Sequence, residues 1–137
     1  MSTIKTNTLT GTTSAGSILV TGEGGSTTTN LQQGLAKAWV HLTGSGTPTA
    51  EDSLNNSSVT DGGTGLYTFN FPSVFGNIHY CASSMAGNAG VTTDARHQIP
   101  NAELTASAFH FRNVYGTSSV TDDANIFVIF HGDLGET

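Results

Sequence analysis

In LYTFNF, Leu66 to Phe71, an aromatic ring recurs at every second position, Tyr67, Phe69 and Phe71, with Thr68 and Asn70 between them. That period belongs to a β-strand, whose successive side chains leave opposite faces; a helix would scatter the three rings around its axis. The glycines just ahead, in DGGTG (Asp61 to Gly65), invite a phosphate-loop reading. A phosphate loop feeds a helix N-terminus, with a Lys close by, and here a strand follows. The glycines are therefore expected to turn the chain between two strands, through a hairpin loop longer than two residues, because Gly reaches φ > 0 without steric cost. Pro72 lacks a backbone donor and ends the run.

The same reading extends along the chain. From Leu35 onward, short strand-like runs alternate with turn clusters about every ten residues, the signature of an antiparallel β-sandwich or jelly roll. AKAWVHLT puts Ala36, Ala38, Val40 and Leu42 on one face and Lys37, Trp39 and His41 on the other. GSGTPTAED reads as a loop, SLNNSSVT as a weak polar strand, NIHYCASSM and TASAFHFRNV as strands. AGNAG and YGTSSVTDDA read as loops, with the polar stretch VTTDARHQIP between the strands. LQQGLAKAW is the single helical candidate, and Gly34 interrupts it. The closing run Ile126 to Phe130, IFVIF, is apolar on both faces, so one face should meet the opposite sheet and the other should be covered by a neighbouring subunit. Trp39, Phe127 and Ile129 are the expected oligomer-interface residues, with Trp39 expected to be buried.

Residues 1–34 differ in kind. They are rich in Thr, Ser and Gly, with apolar residues confined to Ile4, Leu9 and the patch Ile18, Leu19, Val20. So few cannot form a core, and an ordered residue loses roughly 1–2 kcal/mol of backbone entropy. This segment is expected to be an extended attachment arm, with those five residues as its anchors on another surface, and residues 35–137 are expected to form the sandwich.

Composition narrows the chemistry. The formal charge is −6, with four basic residues, Lys5, Lys37, Arg96 and Arg112, scattered along the chain, which argues against nucleic acid as a partner. The N-terminus lacks the apolar core of a signal peptide and no segment has membrane-span character, so a soluble protein made in the cytoplasm, without membrane insertion, is expected. The single cysteine, Cys81, allows no intrachain disulfide and reads as a small buried apolar residue. The five histidines, His41, His79, His97, His110 and His131, lack metal-site spacing, and no nucleophile elbow is present. The adjacent pairs Glu51–Asp52 and Asp122–Asp123 read as solvated turn carboxylates, since neighbours on a strand would face opposite ways. No catalytic residue, metal or cofactor is expected.

Five motifs then occur in order across nearly the whole chain: STIKTNTLTG (Ser2 to Gly11), QGLAKAWV (Gln33 to Val40), the hairpin DS…SSVTDGGTGLYTFNF (Asp52 to Phe71), NIHYCAS (Asn77 to Ser83) and NIFVIFHG (Asn125 to Gly132). Together they resemble a module of tailed-bacteriophage virion proteins, especially of marine phages, found in tail fibres and small surface appendages. The resemblance implies a β-rich, usually homotrimeric structural protein located in the virion, anchored through its N-terminal part to other virion proteins, with no catalytic residue. The short length suits a small fibre or appendage component; a capsid decoration protein is the alternative. A carbohydrate-binding adhesin, reading host surface glycans through loops such as GSGTPT, AGNAG and YGTSSVTDD, is a third reading.

Overall fold

The alternating runs fold as alternation demands. The structure, a computed structural model, describes residues 3–14, 17–87, 95–98, 104–115 and 119–135, with the backbone alone described for 95–98 and Tyr115. It divides into two compact units, Met1–Leu35 and Ala36–Thr137.

In the first unit, β1 (Leu19–Thr21) and β2 (Thr28–Asn30) pair antiparallel as a hairpin. A single helical turn, α1 (Leu31–Gly34), follows; the Asn30 side chain caps it by accepting the N–H groups of Gln32 and Gln33. The expectation of an extended arm is thus corrected over residues 19–34. No residue described in this unit is buried.

The second unit is an antiparallel β-sandwich. One sheet has the order β4 (Thr49–Leu54), β3 (Ala38–Thr43), β11 (Asn125–His131), β7 (Cys81–Gly87). The other joins β5 (Ser58–Gly63), β6 (Leu66–Asn70) and β9 (Ala108–Tyr115). Arg112 of β9 pairs with Leu66 on one edge and with Gln98 of β8 (Ala95–Gln98) on the other. Val114, two residues on, pairs with both Arg96 and Val120 of β10 (Ser119–Val120), so β10 continues the edge that β6 has left.

Between the sheets lie Ala38, Val40 and Leu42 of β3, Ile126, Val128 and Phe130 of β11, Tyr67 and Phe69 of β6, and Phe109 and Phe111 of β9, joined by Phe71 and Phe75. Phe130 crosses the gap, edge-to-face with Phe109 (centroids 4.9 Å apart) and with Phe71 (5.0 Å). Burying each ring contributes roughly 2–3 kcal/mol.

Several expectations yield to local chemistry. SLNNSSVT is not one strand: Asn55 takes a left-handed conformation (φ 53°) and its carboxamide both accepts from the Ser73 N–H and donates to the Ser73 carbonyl, at 2.8 Å each. That corner carries the chain from β4 in one sheet to β5 in the other. The expected loop GSGTPTAED supplies Thr49 to Asp52, the first four of the six residues of β4. The β5–β6 turn has two residues, Thr64 and Gly65, because a bulge between Asp61 and Gly63 absorbs the rest. Gly65 is obligatory there: its φ is +66°, and a Cβ would stand 2.7 Å from the Asn113 carbonyl oxygen. Within NIHYCASSM the strand begins only at Cys81, which is exposed, not buried. YGTSSVTDDA holds β10, and its residues 116–118, like 88–94 and 99–100 of the polar stretch and its loop, lie outside the described residues.

Asp122 and Asp123 are the sharpest correction. Asp122 Oδ1 accepts the Gly65 N–H at 2.6 Å and the Tyr67 hydroxyl at 2.7 Å, while Asp123, 4% exposed, accepts from the Asn113 carboxamide at 2.8 Å. Rather than solvated turn groups, they tie the segment before β11 to the second sheet. Burial, then the hydrogen bond to Asp122, then the charges of Asp122, Asp61 and Asp123 hold the Tyr67 hydroxyl well above the ordinary tyrosine range; burial alone pushes Tyr80 up to about 12.

Two outcomes follow. Asp122→Ala leaves the Gly65 N–H and the Tyr67 hydroxyl short of a partner and should cost about 1–3 kcal/mol, read from the urea midpoint at unchanged slope; a loss below about 0.5 kcal/mol would return Asp122 to the solvated role. Both tyrosines have folded pKa values raised above the unfolded value near 10, so their contribution is complete below about pH 10 and is lost as the pH climbs past it. Thermal melts between pH 8 and 12 should show that loss, and Tyr67→Phe should blunt it.

Candidate functional site

Antiparallel pairing puts directly opposed residues on the same face, so the register of the β4-β3-β11-β7 sheet maps its outer surface. One row reads Leu54, Trp39, Ile129, Ser83; the next reads Asp52, His41, Phe127, Met85. Cys81 pairs with His131 at one end and Thr43 with Thr49 at the other. The alternation that sends Val40, Val128 and Ser84 inward sends Trp39, Phe127, Ile129 and Met85 outward.

These outward residues form an open groove of about 540 Å³ across the middle of the face, lined by Trp39, His41, Asp52, Ser83, Met85, Phe127 and Ile129, with Val40, Ser84 and Val128 also in its lining. Its apolar floor is well exposed: Met85 66%, Phe127 42% and Ile129 38%, with Leu54 at 46% beside them. The His41 ring stacks on Phe127, centroids 4.4 Å apart and 18° from parallel, and its Nε2 lies 3.3 Å from the Asn125 side-chain oxygen. That stack fixes the floor.

A β-bulge shapes the acidic rim. The register slips between His41 and Leu42, so Asp52 opposes His41 and Ala50 opposes Leu42, leaving Glu51 as the additional residue. Asp52 therefore shares the outer face with His41. Glu51 reaches the same face, since its carboxylate accepts the hydroxyl of Thr43 at 2.9 Å, and Thr43 alternates with the fully buried Leu42. The pair expected in a turn, pointing apart if on a strand, sits instead on a strand with both carboxylates on one side.

The structure thus brings together Trp39, Phe127 and Ile129, Trp39 half-buried rather than buried. The five arm residues are not gathered into a cluster: Ile4 (86%), Leu9 (56%), Leu19 (60%) and Val20 (49%) are exposed and Ile18 is half-buried. Met85 and the Glu51–Asp52 pair were missed. Met85 was legible, being at the alternating position from Ser83 in a strand; the bulge has no sequence mark. Of the other histidines, His110 pairs through Nδ1 with the Thr68 hydroxyl at 3.1 Å, His79 is exposed, and the side chain of His97 lies outside the described residues. Among the described residues, no three His, Cys, Asp or Glu side chains converge as a metal site. No family model, curated protein or solved structure matches the chain.

The two faces of β11 should respond differently to the same truncation. Phe130→Ala, in the core, should cost about 3–5 kcal/mol, whereas Phe127→Ala, which forfeits mainly the His41 stack, should cost roughly 0.5–1.5 kcal/mol. Equal losses in denaturant melts would contradict the assignment of Phe127 to an uncovered face.

Proposed function

We propose that this chain is a non-enzymatic structural protein of a tailed-phage particle, a small tail-fibre or appendage component held to other virion proteins through its N-terminal unit. The observation that carries the reading is the contrast between the two units. The sandwich owns an aromatic core, while no described residue of Met1–Leu35 is buried and Ile4, Leu9, Leu19 and Val20 are exposed. A Thr- and Ser-rich segment in which none of the described residues is buried gains too little from its own contacts to offset the entropy of being ordered. Its exposed apolar side chains stand on a two-stranded hairpin, and an isolated hairpin of that size is marginal in water. Docking on another protein would supply the missing burial, and the order of motifs from Ser2 to Gly132 points to a virion as the setting. The exposed groove on the sandwich supplies a second surface for the same assembly.

Deleting residues 1–30 should leave a soluble sandwich with an unchanged β-type circular dichroism spectrum that is missing from purified particles, as quantified by mass spectrometry. Incorporation of the truncated chain at full copy number would place the anchor in the sandwich. Absence of the full-length chain from the particles would overturn the virion reading itself.

A further inference from the structure

We infer that the outer-face groove of the sandwich is a docking site for a cationic, apolar-flanked extended segment of a partner protein. This deepens the reading above by naming the partner's chemistry. The groove is aromatic and aliphatic on its floor, through Trp39, Phe127, Met85 and Ile129, and acidic along the β4 side, where the bulge turns Glu51 and Asp52 onto one face. No Lys or Arg occupies a strand position of this face; Lys37 stands one residue before β3, at the end away from Glu51. Asp52 accepts the N–H of Ser53 at 2.8 Å and Glu51 the Thr43 hydroxyl, and a carboxylate with about four acceptor positions keeps capacity for a cation after one such bond.

Arginine and lysine match this arrangement in both of their parts. The aliphatic stem lies along apolar surface and the charged head meets a carboxylate, with the ring faces of Trp39 and Phe127 adding cation–π attraction. In an extended segment, alternate side chains point the same way, so an arginine over Asp52 puts its second neighbours over the groove floor. The chain's net charge of −6 favours approach of a basic partner. A second copy is disfavoured, because copies carry the same net charge and the same acidic rim.

Trp39 is the only tryptophan, so its emission reports on the groove alone. The probes are a blocked pentapeptide of alternating leucine and arginine and its leucine–glutamate counterpart, titrated into the full-length protein. The arginine peptide should give a saturable emission shift that weakens as salt is raised, and the glutamate peptide none. Glu51→Gln with Asp52→Asn should weaken binding roughly fivefold, two exposed ion pairs being worth that much together, with melting and circular dichroism unchanged. Equal response to both peptides, or to neither, overturns the inference. So does a species three times the 14.1 kDa chain mass in light scattering that reverts to monomer in Phe127→Glu, since a second copy would then cover the face. The titration involves no particle, so its failure leaves the virion reading standing, and failure of incorporation leaves the groove standing.

Discussion

Phe130 is the contact on which the sandwich turns. Its ring lies against Phe109 and Phe71 edge-on and within 6.5 Å of Phe69, Phe75 and Tyr80, so one side chain of one sheet gathers two aromatic residues of the other sheet and three of the linking segment. Edge-to-face pairs add about 0.5–1.5 kcal/mol beyond area burial. The geometry also sets the spacing of the sheets, and with it the reach of Tyr67 to Asp122. The polar ties at the far end of the sandwich depend on that spacing being held.

Because β11 is flanked by β3 and β7, its alternate residues are committed to two different environments. Ile126, Val128 and Phe130 complete the core, and Phe127 and Ile129 form the groove floor on the other side. The groove floor is therefore built on the two inner strands of its sheet, β3 and β11. Rigid backing of this kind keeps a binding surface in shape without a partner present, which lowers the entropy lost when one arrives. The acidic rim is different: it lies on an edge strand, and an irregularity in pairing aims it.

How much of this was legible follows from which residues carry a periodic signal. Tyr67, Phe69 and Phe71, or Ile126 through Phe130, declare strand and facing through side chains whose burial is large. TAEDSL and SVTDGG carry little apolar mass, so their division into two strands of different sheets depended on Asn55 adopting a left-handed conformation, which Asn tolerates but does not announce. Cys81 was misread from its residue type, although its position opposite His131 on an outer face decides its exposure. Asp122 and Asp123 looked like turn residues because they are turn residues in sequence. What gives Asp122 work is Gly65 and Tyr67, more than fifty positions away, and no local pattern encodes a partner at that distance, while Asp123 is engaged by Asn113 of the preceding long strand. Of the groove, the apolar floor was half visible in IFVIF and Trp39, whereas the rim required a register slip known only from pairing.

The pairing of β3 with β11 also governs when this protein can acquire its structure. Ala38 opposes Phe130, so this pairing closes a loop of about ninety residues. β11 is the inner strand that β3 and β7 share and follows both in the chain, so until it is made those two strands have no common partner. Folding is then expected to be slow, as befits pairings so distant in sequence. Until β11 arrives, the inward faces of β3 and β6 stand open to other chains, and the sparing use of apolar residues in β4 and β5 limits what those chains can seize.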